Sequence, residues 1–98
     1  MGEVKILTKE EIQEGLKSLP GWVYKDSKIS KEFKFIDFMG SLDFINKLAP
    51  FCEAQDHHPD VHIFYSKVLF ELQRFDVGGK VTDKDFIIAH QIEKLYKS

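Results

Sequence analysis

The sequence predicts an α+β fold of two layers, in the order α-β-β-α-β-β-α, with a four-stranded antiparallel sheet carrying its helices on one face. Three observations predict it. Thr8-Lys-Glu-Glu11 and Thr82-Asp-Lys-Asp85 have the form of capping boxes that open helices. Two pairs of short stretches rich in β-branched and aromatic residues are each split by a turn, Asp26-Ser27 and Tyr65-Ser66. Between the two pairs lies a longer stretch with helical apolar spacing. A chain of 98 residues can bury one core and not two, so residues 1–98 are read as a single domain.

In the first helix the Thr8 hydroxyl accepts from the Glu11 N–H while the Glu11 carboxylate reaches back. Ile12, Leu16 and Leu19 follow at helical spacing, and Pro20-Gly21 stops the run, which predicts a helix over 8–19. Trp22–Lys25 and Ile29–Phe35 read as a hairpin. In its second arm Ile29, Lys31, Phe33 and Phe35 alternate with Ser30, Glu32 and Lys34, the period of a half-buried strand.

Asp37 can cap a second helix reaching Gln55, its buried stripe formed by Phe38, Leu42, Ile45, Leu48 and Phe51 or Cys52. Pro50 removes a helical hydrogen bond and crowds the carbonyl four residues back, so a kink near Asn46-Lys47 or a break is expected. The residue before a proline favours extended geometry, so His57-His58-Pro59 ends that helix. Val61–Phe64 and Lys67–Phe75 form the second hairpin, with Val68, Phe70 and Leu72 on one face and Leu69, Glu71, Gln73 and Phe75 on the other. After a turn at Gly78-Gly79, the last helix buries Phe86, Ile88 or Ala89, Ile92, Leu95 and Tyr96. A small sheet with one open face invites association through an edge or through the second helix.

The totals exclude several function classes. A formal net charge of -2, with Lys and Arg scattered, offers no footprint for nucleic acid or an anionic membrane. Cys52 is the sole cysteine and cannot form an internal disulfide, which makes a reducing, cytoplasmic compartment the expectation. Met1-Gly-Glu-Val-Lys has no apolar signal core, and no apolar run approaches the ~18 residues of a membrane span.

The chemistry concentrates in Glu53-Ala-Gln-Asp-His57-His58-Pro59-Asp60 and the later segment Gln73-Arg74-Phe75-Asp76. Imidazole titrates near ~6.5, so adjacent His57 and His58 can move protons at neutral pH, and Pro59 stiffens their backbone. The turn carrying them is expected to be exposed, so that replacing either ring spares folding. Glu53, one helical turn upstream, can hold one ring in a defined tautomer. A metal site is disfavoured: Pro59 lies between His58 and His62, and in extended chain the two start about 13 Å apart at ~3.3 Å per residue. Cys52 falls on the buried stripe and reads as an inert thiol, while His62 and His90 read as surface or interface residues.

These residues give the chain a specific resemblance. It resembles the pterin-4a-carbinolamine dehydratase family, known in animals also as a dimerisation cofactor of a homeodomain transcription factor. The likeness spans Leu7-Thr8-x-Glu10-Glu11, Pro20-Gly21-Trp22, Phe33-x-Phe35-x-Asp37-Phe38 and Thr82-x-x-Asp85. The family signature is an acidic residue, three spacers, His-His-Pro, five spacers and an aromatic; here it is met by Glu53, His57-His58-Pro59 and Tyr65. Further on the family has His or Trp and then Asp. Asp85 supplies the carboxylate, but Phe75 stands where the family's third imidazole belongs.

The resemblance implies a hydro-lyase that dehydrates 4a-hydroxytetrahydropterin in tetrahydrobiopterin recycling, with no cofactor and no metal. Its catalytic residues would be His57, His58 and Glu53. Its pterin would contact Asp56, His57 and His58 on one side and Gln73, Arg74, Phe75 and Asp76 on the other. Phe75 can stack on a pterin but cannot carry a proton, so reduced activity is expected. The implied partners are the pterin and further copies of the chain, as a homodimer or homotetramer, with no direct nucleic acid and no membrane. The alternative is a catalytically weak family member acting as a pterin-binding or protein-assembly module.

Overall fold

The computed structural model describes residues 4–74 and 79–98. Its elements run α1 (Lys9–Leu16), β1 (Val23–Lys25), β2 (Lys28–Lys34), α2 (Phe38–Gln55), β3 (Asp60–Phe64), β4 (Lys67–Leu72) and α3 (Asp83–Lys97). The four strands form one antiparallel sheet in the order β1-β2-β4-β3. This is the predicted order of elements, and the sheet leaves β3 as an edge.

Local chemistry explains the element ends. Thr8 and Glu11 form the reciprocal capping box at the start of α1. That helix ends at Leu16, earlier than the 8–19 expectation. Residues Lys17, Ser18 and Leu19 continue in bonds to the third residue back, because Pro20 disfavours α geometry at Leu19 and the core takes its side chain. Asp26 and Ser27 both lie at positive φ, 55° and 66°, the geometry that matches a two-residue hairpin to strand twist. Asp37 caps α2 by accepting from the Gly40 N–H at 2.8 Å. The helix then runs unbroken through Pro50, which sits on the exposed side where water can solvate the freed Asn46 carbonyl.

Paired strand residues share a face. Ile29↔Leu72 and Phe33↔Val68, with Phe70 between them, put one side of the sheet into the core. Against it pack Ile12, Leu19 and Trp22, then Phe44, Leu48 and Cys52 from α2, and Ile88, Ala89 and Ile92 from α3. The phase of α2 departs from expectation. Its buried stripe is Ser41, Phe44, Leu48 and Cys52, whereas Phe38 is exposed and Leu42 and Ile45 are only partly covered. The helix is apolar around more than one stripe, so spacing alone did not choose between them. β4 stops at Leu72, short of the expected Phe75, and an isolated Arg74↔Lys80 bridge follows. β3 begins one residue early, at Asp60.

A carboxylate-centred network closes the fold. Glu93 Oε2 accepts from Trp22 Nε1 at 2.8 Å and from Lys31 Nζ at 2.7 Å, and Lys31 also donates to the Pro20 carbonyl at 2.9 Å. Lys31 thereby occupies an inward-facing strand position with its charge paired, as a partly buried cation must be.

Candidate functional site

The site is built where α2 gives way to β3. Asp56 takes up left-handed geometry (φ 53°, ψ 44°), and the chain reverses: its N–H donates to the Glu53 carbonyl, and the His57 N–H donates to the Cys52 carbonyl at 3.1 Å. This paired pattern satisfies two of the last carbonyls of the helix and fixes the direction in which His57 leaves it. Pro59 then stiffens the approach to β3.

The two imidazoles have separate environments. His57 is buried, and its Nε2 is hydrogen-bonded to Oδ1 of Asp85, which is itself fully buried. The second oxygen of Asp85 accepts from the Thr82 N–H at 2.8 Å as part of the capping box that opens α3. His58 is exposed, and its Nε2 lies 2.6 Å from Glu53 Oε2. An ionised carboxylate only accepts, so each ring carries its proton on Nε2 and leaves Nδ1 as the acceptor in the neutral form.

The expected exposure of the turn is therefore half wrong. His58 fits it, but His57 is 5% exposed and sits in the buried layer with Asp85. The reason is topological: α3 begins directly against the end of α2 and covers the first histidine of the pair. The sequence marks Asp85 as a capping-box and motif carboxylate, but not as the partner of His57. The signal available in the sequence was its place as the third residue of a capping box, where one oxygen serves the helix and the other is left to bind elsewhere.

Asp56, His57, His58, Pro59, Asp60, Gln73 and Arg74 line one open cleft of about 450 Å³. Five of the expected contact residues thus converge, although Gln73 and Arg74 are distant in sequence from the histidine turn. Phe75 and Asp76 lie outside the described residues. Glu53 stands behind His58 without lining the cleft, and Asp60, part of the same charged stretch in the sequence but not among the expected contact residues, does line it. Tyr65, the signature aromatic, lies at the far end of β3 in the β3–β4 turn (φ 60°) and does not line the cleft.

The other candidates fall away from this cleft. His58 and His62 engage different carboxylates, since His62 Nε2 donates to Glu71 Oε1 at 3.0 Å. Among the described residues, no group of three or more His, Cys, Asp or Glu side chains is placed to hold a metal ion. Cys52 is buried, and burial, with the nearby Glu53 charge adding to it, pushes its thiol up to about 11. His90 Nε2 lies 3.4 Å from the Ser18 hydroxyl at the surface.

The family model described as Pterin 4 alpha carbinolamine dehydratase matches residues 5–95. The chain belongs to this family. It is 42% identical over 92 residues to a protein of Sulfurisphaera tokodaii named "Putative pterin-4-alpha-carbinolamine dehydratase", covering 94% of this chain and 98% of that one. A Picosynechococcus protein of the same name is 46% identical over 89 residues, covering 91% and 96%.

Among solved structures, a transcriptional coactivator/pterin dehydratase from Brucella melitensis superposes with a TM-score of 0.86 at 31% identity, over 93% of this chain and 98% of that one. A pterin dehydratase-like RuBisCO assembly factor of the alpha-carboxysome shares the fold at a TM-score of 0.61 and 20% identity, over 79% and 88%. The three helices and the β1-β2-β4-β3 sheet of this chain are thus the pterin dehydratase fold.

Proposed function

We propose that this family member is a 4a-hydroxytetrahydropterin dehydratase whose acid–base work is done by His57 and His58. The observation that carries this reading is the convergence of Asp56, His57, His58, Gln73 and Arg74 on one cleft, with a carboxylate behind each imidazole. In the reaction the C4a–O bond breaks, its electron pair leaving with the oxygen, and the adjacent ring nitrogen gives up its proton. One imidazole protonates the departing hydroxyl and the other accepts the nitrogen proton, so water leaves and the quinonoid dihydropterin remains. Asp85 and Glu53 hold the rings oriented and stabilise the imidazolium that each passes through. In the sequence Phe75 stands where the family has a third proton carrier and cannot carry a proton, so the rate falls below that of a three-histidine site.

A second reading has its own support. Ile36, Phe38, Met39, Phe64 and Tyr65 leave large apolar surface exposed around the β3 end of the sheet and the start of α2. Such a patch, next to an edge strand, favours a second copy of this chain and offers a surface for an assembly role. The Brucella neighbour's description as a coactivator points the same way. No helix of the described residues is long and apolar enough to cross a membrane. Its single cysteine cannot form an internal disulfide, which supports a reducing, cytoplasmic setting and a place in pterin recycling there. Stopped-flow dehydration of 4a-hydroxytetrahydropterin tests the enzyme reading, which requires a rate above the spontaneous one.

A further inference from the structure

α3 carries a charge at the wrong end for its own dipole. The first turn of a helix favours carboxylates, and Asp83 and Asp85 comply, yet Lys84 stands between them. Its ammonium is spent on α2 instead. Lys84 Nζ donates to the Gln55 backbone carbonyl at 2.9 Å and lies 3.3 Å from Gln55 Oε1. Gln55 is the last residue of α2, and the N–H groups of Asp56 and His57 are already given to Glu53 and Cys52. The amine therefore takes a helix-terminal carbonyl that those two bonds leave over, at the end where a helix favours a cation.

The neighbouring residue in sequence makes the parallel contact. Asp85 binds the His57 ring while Lys84 binds the backbone two residues before it. The first turn of α3 thus grips the histidine turn at two successive points, one on the side chain and one on the main chain. A ring held only by Asp85 can pivot with its backbone; a ring held at both points cannot.

We infer that Lys84 is a positioning residue that fixes the α2–β3 turn and so sets where His57 stands in the cleft. This rests on the dehydratase reading for its catalytic consequence, but not for the geometry. Displacing a reacting group by about 1 Å can cost up to ~10²-fold in rate, so the expected loss is one of turnover and not of pterin binding.

The test uses the full chain and the variants Lys84→Met and Lys84→Arg, with Lys84→Gln as a replacement should Met compromise folding. Dehydration kinetics give kcat and KM, and 15N spectra of the His57 ring report its tautomer and its titration. The expected result is a folded Lys84→Met protein with kcat lowered about tenfold or more, KM within about twofold, and altered His57 ring signals. Lys84→Arg, which keeps charge and reach, restores both. A folded Lys84→Met or Lys84→Gln protein with unchanged His57 ring signals overturns the inference, as does a loss of melting temperature alone with kcat intact. If the wild-type chain shows no dehydration, the dehydratase reading fails, and the ring signals still decide the role of Lys84.

Discussion

His57 and Asp85, 28 positions apart, share a buried hydrogen bond through the same carboxylate that caps α3. Local and long-range structure therefore meet in one side chain: Oδ2 opens the helix, and Oδ1 orients the imidazole at the end of α2. The arrangement makes His57 part of the fold as well as part of the site.

The two histidines should differ in what their loss does to stability. His57→Ala leaves the Asp85 oxygen buried without its donor, which costs roughly 1–3 kcal/mol before any cavity term is added. At about 4–8 °C per kcal/mol for a domain of this size, thermal melting should detect it easily. His58→Ala removes an exposed pair with Glu53 and should shift stability by less than about 1 kcal/mol. Equal melting temperatures for the two variants would contradict the buried placement of His57.

Acid should destabilise the protein in part through Glu93. Burial pushes this carboxyl up, but the hydrogen bonds from Lys31 and Trp22 outweigh it and hold the group below the ordinary glutamate value of 4.5. A carboxyl lowered in the folded state binds fewer protons there than in the unfolded chain. Its contribution is thus fully present above about pH 4.5 and disappears as pH falls through the lower, folded value. Urea midpoints measured from pH 7 to pH 3 should fall less steeply for Glu93→Gln than for the parent, from a lower plateau. Parallel curves would show that Glu93 has no part in the acid transition.

Cys52 should be chemically silent. With its thiol pushed up to about 11, only about one molecule in a thousand carries the thiolate at pH 8, and burial blocks access to that fraction. Iodoacetamide labelling followed by mass spectrometry should be at least ~10²-fold slower for the folded protein than in urea. Rapid labelling without unfolding would mean that the end of α2 opens readily.

Much of this molecule was legible in its sequence because the signals were local. Thr8 with Glu11, Asp37, and the turns at Asp26-Ser27 and Tyr65-Ser66 act over two to four residues, and each appears where its chemistry places it. That Glu53 would reach one ring of the pair was legible for the same reason, but not that the ring is that of His58. What was not legible depends on which elements meet. The phase of α2 was decided by α3 and the sheet, which chose Phe44 and Ser41 over Phe38 and Leu42. The burial of His57 was decided by where α3 begins, and its bond to Asp85 has no local precursor beyond a spare carboxylate oxygen.

Phe75→His should raise dehydration by about tenfold to 10²-fold, at or just below the low end of the ~10²–10⁴-fold range for one general acid or base, if the pterin occupies the cleft as proposed. Stopped-flow measurement reads the rate, and a thermal melt on the same preparation checks that the variant is folded. A stable variant with no gain in rate would favour the assembly reading.

We propose that the His57–His58 pair, each ring backed by a carboxylate, performs the dehydration. The most direct test is the single-turnover rate of 4a-hydroxytetrahydropterin dehydration by the parent chain and by His58→Ala, whose fold should be spared. The expected result is a parent rate above the spontaneous reaction and a fall of roughly 10²-fold or more in the catalysed part for His58→Ala. A parent rate equal to the spontaneous one, or a His58→Ala protein as fast as its parent, would contradict it.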